Sequence, residues 1–279
     1  MGGMSPLVVC VGLTTLDMVQ AVDALPGSNQ KVVATDFWWD VGGPAANAAR
    51  VAARLGCEVR LVTALGGTEL AELARTRLAG VEVIDLAPHD HQLPVSMIMV
   101  PPDGARSVVS RNAAGLSDAP LPASTVVDGA GVVLHDGHLL EASVALAGRP
   151  APIHLLDGGS WKPGLQELLP LLDIAVVSAD FALPGRSPEQ ALDDLTGLGI
   201  PRVARTRGSD PVLAVIGEHR RSFDVPPVEA LDTTGAGDVL HGALAAHLAL
   251  GLDFTAALGA AIDQASRSVA GRGVLFGLE

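Results

Sequence analysis

The chain alternates short apolar runs, each as long as a buried strand, with segments of helical periodicity. The strand-like runs cover residues 7–12, 60–65, 132–135, 152–156, 174–177 and 202–205. Between them, residues 68–79 space leucines and an alanine on one helical face, and a capping box at 187–190 announces a second helix. Strands that alternate with helices predict an α/β fold, a doubly wound and mostly parallel sheet flanked by helices.

Two segments depart from this alternation. Residues 31–39 are β-prone and end shortly before a pair of glycines, and the runs 96–100 and 107–110 flank a Pro-Pro-Asp-Gly turn in the manner of a hairpin. These segments predict a second, smaller sheet outside the main one.

Composition restricts the partners that the chain can have. With 279 residues and 48% hydrophobic content, we expect a single domain over residues 1–279. We expect a cytoplasmic protein, because no apolar run reaches the ~20 residues of a membrane span and the two cysteines, Cys10 and Cys57, are scattered. The net charge of −13 disfavours nucleic acid and membrane surfaces, so a small molecule is the expected partner.

The segment 232–238, Asp-Thr-Thr-Gly-Ala-Gly-Asp, precedes an apolar helical run. The first N–H groups of a helix lack intrahelical partners and carry the positive end of its dipole, so Thr234, Gly235, Ala236 and Gly237 predict a phosphate-binding turn. Asp238 would repel a phosphate, and we interpret it as a general base that takes a proton from an attacking hydroxyl. The alternative is a glycine-rich turn with a favourable acid in the first helical turn.

The chain lacks the phosphate-binding lysine motif of P-loop enzymes. Its only lysines are Lys31 and Lys162, and neither follows the required glycine spacing. A phosphate at the 232–238 turn would therefore be held by backbone N–H groups, arginine and Mg²⁺.

A second motif lies far upstream, at residues 42–56. Gly42 and Gly43 leave bare backbone that can approach a polyhydroxylated ligand, and a helix of small residues follows and ends at Gly56. Asn47 falls in the first turn of that helix, where its amide can donate to and accept from a sugar hydroxyl. Alternatively, Asn47 bonds only to local backbone.

These two segments resemble the C-terminal and N-terminal signatures of the ribokinase-like carbohydrate kinases, the PfkB family, with the pattern nearest to ketohexokinase-like and sulfofructose kinase members. The resemblance covers nearly the whole chain. It implies a kinase that uses ATP as its magnesium complex and phosphorylates a hydroxyl of a ketose-like sugar. It further implies a β lid, from about 14–41 and 95–112, that closes over the sugar and in several relatives pairs with a second subunit, so we expect a homodimer.

The resemblance also assigns roles to individual residues. Asp17, which we expect in the loop after the first strand, would bind sugar hydroxyls together with Gly42, Gly43 and Asn47. Arg106 in the hairpin would approach the transferred phosphate. Asp136 and Asp157 each end an apolar strand with an acid and a glycine; Asp136 is the further substrate-binding candidate, and for both the alternative is a turn-forming aspartate.

The remaining assignments concern the nucleotide and ions. Thr206 and Gly208 occupy the region where relatives hold ATP. The family's N-x-x-E motif, linked to magnesium, reads Ser178-Ala179-Asp180-Phe181 here, so Asp180 is the candidate for the missing Mg²⁺ carboxylate. Potassium is a further ion that the resemblance implies, with Asp232 as its candidate ligand.

Other functions fit the sequence less well. A nucleoside or vitamin-precursor kinase of the same fold remains open, because nucleosides also present ribose hydroxyls. A sugar-binding relative without catalysis also remains open, supported by the altered segment 178–181. The eight histidines show no zinc-site spacing, and no G-x-G-x-x-G follows the first strand, which disfavours a dinucleotide enzyme.

Overall fold

The computed structural model describes residues 5–102, 107–111, 120–149 and 152–278. In chain order, the strands are β1 Leu7–Val11, β2 Thr15–Ala21, β3 Asp36–Gly42, β4 Glu58–Thr63, β5 Glu82–Asp85, β6 Val95–Val100, β7 Ser107–Ser110, β8 Ala130–His135, β9 Ile153–Gly158, β10 Ile174–Val177, β11 Arg202–Arg207, β12 Asp210–Ile216 and β13 His219–Phe223. The α-helices are α1 Pro44–Arg54, α2 Glu69–Arg77, α3 Leu140–Ala147, α4 Leu165–Leu168, α5 Ala191–Gly197, α6 Ala236–Ala249 and α7 Phe254–Ser268. Short 3-10 turns lie at Ser124–Val127, Leu169–Leu171 and Pro188–Gln190.

The large sheet has nine strands in the order β13-β12-β11-β10-β9-β8-β1-β4-β5. The seven strands from β11 to β5 run parallel, and β12 and β13 add an antiparallel edge. Helices cover both faces, which is why strands such as β10 are apolar and buried at every position. All six predicted strand runs lie in this sheet, so the predicted fold class is confirmed.

The small sheet has the order β3-β2-β6-β7. The runs 96–100 and 107–110 were predicted to pair as a hairpin, and β6 and β7 do pair antiparallel. Asp17 lies within β2, opposite Asp40 of β3, and not in the loop that the sequence predicted. The reason is that the chain leaves the large sheet at Gly12 and enters the small one within three residues.

Helices α1 and α6 bring the two sequence motifs together. The inward residues of α1 are alanines and a valine that are almost completely buried. On α6, a Cβ atom at Gly242 would lie 2.6 Å from the carbonyl oxygen of Ala48, which real Cβ atoms do not tolerate. Small residues therefore set a close approach between the helix that follows Gly43 and the helix that follows Gly235.

The small sheet is held against the body by arginines stacked on two tryptophans. The guanidinium of Arg77 on α2 lies 4.4 Å from the Trp39 ring centroid, and that of Arg272 lies 4.9 Å from the Trp38 ring. Arg272 also pairs with Asp36 at 3.4 Å. Within the described ranges, no helix has the length and apolar character needed to cross a bilayer.

Candidate active site

The glycine-rich turn forms the entrance to α6. Gly235 is the N-cap residue and adopts the left-handed conformation with φ of 75°. A Cβ there would lie 2.4 Å from Cγ1 of Val274 and 3.5 Å from Oδ2 of Asp238, so only glycine fits the backbone into this space. The first-turn N–H groups of α6 consequently face the site with the polarity that suits a phosphate.

Asp232 braces the same turn. Its Oδ1 accepts a hydrogen bond from the backbone N–H of Thr234 at 2.9 Å, and its Oδ2 accepts one from Gly273 at 3.4 Å. This carboxylate therefore connects the turn with the C-terminal segment 271–277. Its role as a cation ligand stays a prediction.

Asp238 on α6 lies opposite Asn47 on α1. Nδ2 of Asn47 donates to Oδ2 of Asp238 at 2.7 Å, although the two residues are 191 positions apart. Desolvation and then the charge of Asp157 raise the pKa of Asp238 to about 7, while the Asn47 hydrogen bond opposes the rise. A carboxyl with this pKa can take up a proton near neutral pH, which an ordinary aspartate cannot do.

Asn47 has a second polar atom available. Its side chain is 6% exposed, and its Oδ1 is buried without a hydrogen-bond partner among the residues that the structure describes. A buried acceptor without a donor is costly, and a ligand hydroxyl would satisfy it.

Glycine is required at both positions of the upstream motif, but for different structural reasons. Gly42 ends β3 under the carboxyl of Asp17, and a Cβ at this position would lie 2.0 Å from Oδ2 of Asp17. Gly43 is the N-cap of α1 with φ of 94°, and a Cβ there would lie 2.3 Å from the carbonyl oxygen of Leu13. The glycines thus make room for a carboxylate and for a crossing of the backbone.

Asp17 itself is partly buried and accepts a hydrogen bond from Thr15 at 2.7 Å. Burial raises its pKa, and the hydroxyls of Thr15 and Ser96 oppose that rise. Its sugar-binding role stays a prediction, and the geometry leaves carboxylate lone pairs for it.

Both carboxylate oxygens of Asp136 accept hydrogen bonds from backbone N–H groups. Its Oδ2 accepts from the backbone N–H groups of Leu13 at 2.8 Å and Ala45 at 3.2 Å, and its Oδ1 accepts from His138 at 2.9 Å. These bonds tie the end of β8 to the segment after β1 and to the start of α1. The geometry favours the turn-forming interpretation, because most of the acceptor capacity is used.

Behind Asp238 lies a second pair that sequence reasoning did not connect with the site. Nδ1 of His241, one turn further along α6, is 3.4 Å from Oδ2 of Asp157 at the end of β9. Histidine at this spacing after Asp238, inside an otherwise apolar helix, was the available signal.

The predicted nucleotide residues lie on the same edge of the large sheet. Thr206 is on β11 and its hydroxyl donates to the carbonyl oxygen of Val177 at 3.4 Å, while Gly208 adopts φ of 63° in the turn before β12. Asp180 is exposed in the turn after β10, whereas Phe181 is fully buried and packs near Trp161. These placements are compatible with the predicted roles, which stay predictions.

Two further predictions concern Arg106 and the metal site. Arg106 lies outside the described residues. Across the described ranges, no cluster of three or more His, Cys, Asp or Glu side chains has the spacing of a metal site. A magnesium ion that is held chiefly by phosphates and water needs only one or two protein carboxylates, so the residues present can accommodate it.

Comparison with known proteins shows which family the chain resembles. The family model described as pfkB family carbohydrate kinase matches residues 5–279. The ribokinase of Bacillus subtilis (strain 168) is 28% identical over 286 aligned residues, which cover 97% of this chain and 95% of that protein.

Solved structures show the same fold. The ribokinase of Thermotoga maritima superposes with a TM-score of 0.79 at 24% identity, covering 97% of this chain and 95% of that one. The Arabidopsis thaliana ribokinase complexed with ribose and ATP gives a TM-score of 0.81 at 24% identity, covering 97% and 94%.

Proposed function

The chain belongs to the pfkB family of carbohydrate kinases, and on that premise we propose that it transfers the γ-phosphoryl group of ATP to a hydroxyl of a ketose-like sugar, with Asp238 as the general base. Family membership makes it a phosphotransferase that acts on a sugar hydroxyl. The observation that supports the residue assignment is the 2.7 Å hydrogen bond between Asn47 and Asp238, which joins the two motifs in one groove.

The sugar lies, in this proposal, between β2 and the start of α1. Asp17 accepts hydrogen bonds from its hydroxyls, and the missing Cβ at Gly42 keeps that carboxylate in place. The unpartnered Oδ1 of Asn47 accepts a further hydroxyl while its Nδ2 orients Asp238. This arrangement directs one hydroxyl of the acceptor toward Asp238.

Chemistry then requires one proton transfer and one exchange of bonds to phosphorus. Asp238 takes the hydroxyl proton as the sugar oxygen bonds to the γ-phosphorus, and the bond to the β,γ-bridging oxygen breaks to release ADP. The first-turn N–H groups around Gly235–Gly237 stabilise the charge on the transferring group. Because the pKa of Asp238 is about 7, the carboxylate is present at neutral pH and is basic enough to accept a proton.

The ions complete the charge balance. Mg²⁺ bound to the phosphates of ATP would neutralise part of their charge, and Asp180 is the exposed carboxylate that we propose approaches it. Thr206 and Gly208 would contact the nucleotide and Arg106 the transferred phosphate. A potassium ion near Asp232 belongs to the same proposal.

We also propose that the small sheet forms the lid and the contact between two copies of the chain. One face of this sheet exposes large apolar side chains at Phe37, Met97 and Val109, which are 40–69% exposed. Pairing two such sheets would remove this surface from water. Sedimentation of the purified protein as a dimer, and of a variant with Val109→Lys as a monomer, is the expected result.

The decisive experiment compares Asp238→Asn with a matched control, Asp263→Asn, which changes an exposed carboxylate on α7. We expect kcat to fall by roughly 10²–10⁴ in the first variant and to stay unchanged in the second. Near-normal turnover by folded Asp238→Asn would falsify the assignment of the base.

A screen of ATP consumption over ketoses, ribose, other aldoses, sulfosugars and nucleosides identifies the acceptor. Preferred turnover of a ketose is the expected result. Preference for ribose, the sugar that the ribokinase relatives are named for, would keep the mechanism and change the substrate. Selective turnover of nucleosides would contradict the sugar kinase proposal.

A further inference from the structure

His241 makes more donor contacts than a neutral imidazole can supply. Its Nδ1 lies 2.7 Å from the carbonyl oxygen of Gly237, and its Nε2 lies 3.1 Å from the carbonyl oxygen of Val176 on β10. A neutral ring carries one N–H, whereas the imidazolium carries two. Only the protonated ring donates to both carbonyl groups.

A counter-charge is present at the required place. Oδ2 of Asp157 lies 3.4 Å from Nδ1 of His241, and the two side chains are 9% and 6% exposed. The same oxygen has no hydrogen-bond partner within the described part of the chain. Both N–H groups of the imidazolium are directed at carbonyl groups, so His241 stabilises Asp157 by its charge at 3.4 Å and not by a hydrogen bond. A buried carboxylate and a buried imidazolium are each costly alone, and opposite charges at this distance offset part of that cost.

We propose that Asp157 and His241 form a buried carboxylate–imidazolium pair that positions and electrostatically tunes Asp238. The inference rests on the proposed function, because it concerns the base of that reaction. Asp157 and His241 are positioning residues that act through the first turn of α6 and through their charges.

The positioning effect follows from the hydrogen bond to Gly237. The carbonyl of Gly237 belongs to the peptide group whose N–H is that of Asp238. A charged donor on that carbonyl fixes the orientation of the peptide and polarises its N–H, which points toward the phosphate side of the turn. The phosphate-binding turn 232–238 contains no lysine. A fixed positive charge on His241, one turn further along α6, therefore supplies part of the compensation for the phosphate charge.

The tuning effect has two opposite parts. The negative charge of Asp157 disfavours ionisation of Asp238, and the positive charge of His241 favours it. Asp136 faces Asp238 as well and acts in the same direction as Asp157. Removing either member of the pair should therefore move the ionisation of the base, and in opposite directions.

The pair has further charged neighbours that must be kept in view. Lys162 follows β9, and its positive charge favours the ionised form of Asp157, whereas the negative charge of Asp136 disfavours it. His138 follows β8 and favours ionisation of Asp157 only when it is protonated, and burial lowers the pKa of His138. Burial raises the pKa of Asp157, and the positive charges together with that of His241 oppose the rise. The variants below leave Lys162, His138 and Asp136 unchanged, so the difference between variants reports the pair.

The first measurement needs no activity. Ring ¹⁵N chemical shifts of His241, assigned by their loss in His241→Asn, should show two protonated nitrogens at pH 7 in the unchanged protein. A singly protonated ring in the unchanged protein at pH 7 would overturn the ion pair.

The second measurement is the pH profile of kcat. Asp157→Asn should shift the acidic limb to lower pH by about one unit, and His241→Asn should shift it to higher pH by a similar amount. Asp128→Asn, an exposed carboxylate before β8, and His247→Gln, on the same helix as His241, are the matched controls and should not move it. A purely structural role would lower stability and leave the limb in place, so an unmoved limb in both folded variants refutes the tuning.

The two proposals can fail separately. If Asp238→Asn retains full turnover, Asp238 is not the base and the tuning role is overturned with it. The ¹⁵N shifts would still decide whether the ion pair exists. If the base assignment holds and the limb moves oppositely in the two variants, both proposals are supported.

Discussion

A buried histidine pair contributes a pH-dependent part to the stability of this protein. His135 ends β8 and is fully buried; its Nε2 lies 3.2 Å from Nδ1 of His154 on β9. The Nε2 of His154 in turn faces the carbonyl oxygen of Arg149 at 3.2 Å. Burial, and then the charge of His154, lower the pKa of His135 from 6.5 to about 3.

The size and sign of the effect follow from this shift. Unfolding returns the imidazole to water, so between pH 6.5 and 3 the unfolded chain binds a proton that the native chain does not. Stability present above pH 6.5 is therefore lost as the pH falls through this window. The loss from His135 is about 2 kcal/mol at pH 5 and close to zero at pH 7.5.

The total stability would hide this loss. Asp238 has a pKa raised to about 7, so the native state binds a proton near pH 5 that the unfolded state does not, and this contribution grows as the pH falls. It offsets His135 by a similar amount. The informative quantity is the difference in free energy of unfolding between the unchanged protein and His135→Gln, which cannot titrate and keeps an amide beside His154.

We expect this difference to fall by about 2 kcal/mol between pH 7.5 and pH 5 in urea unfolding followed by circular dichroism. The exposed His219→Gln is the control and should give a difference that does not change with pH. A pH-independent difference for His135→Gln would show that His135 is not held neutral by burial, and the reasoning would be wrong.

Three further results are expected. Gly235→Ala should lower kcat by on the order of 10²-fold, since its Cβ would displace the turn against Val274, and adding Val274→Ala should restore part of the activity; no recovery would contradict a steric cause. Gly42→Ala should raise the KM for the sugar about ten- to a hundredfold while the KM for ATP stays constant, because it moves the carboxyl of Asp17; equal changes in both constants would argue against a sugar-side role. Removing divalent ions with EDTA should abolish turnover and Mg²⁺ should restore it, whereas undiminished activity in EDTA would exclude a magnesium complex as the substrate.

The sequence predicted the architecture well, because buried parallel strands are written as uninterrupted apolar runs. All six such runs became strands of the large sheet. The edge hairpin of β12 and β13 was missed, since β13 carries polar side chains and its pairing is visible only once β11 has a neighbour. Strand β5 was missed for a similar reason: its four residues begin and end with acids.

The candidate site was predicted where chemistry depends on local backbone. Gly43 and Gly235 each stand directly before a predicted helix, and glycine at such a position indicates a positive φ angle from the local sequence alone. The sequence assigned Asn47 and Asp238 to the same reaction but did not predict a contact between them, which the structure shows as a hydrogen bond of 2.7 Å. The partner of His241 could not be found in this way, because Asp157 is brought to it by the register of β9 and β10 beneath α6.

The close contact at Gly242 fixes the spacing between α1 and α6, the two helices that carry the proposed site. In the proposed function, Asn47 on α1 holds the acceptor and the first turn of α6 holds the transferred phosphate, so the spacing of these two helices would set the distance between the reacting groups. That spacing is set in the core, where Gly242 meets the carbonyl of Ala48. A methyl group added at Gly242 would push α1 and α6 apart. In the proposed function, the phosphoryl group would then have to move further, although every proposed substrate-binding side chain would be unchanged.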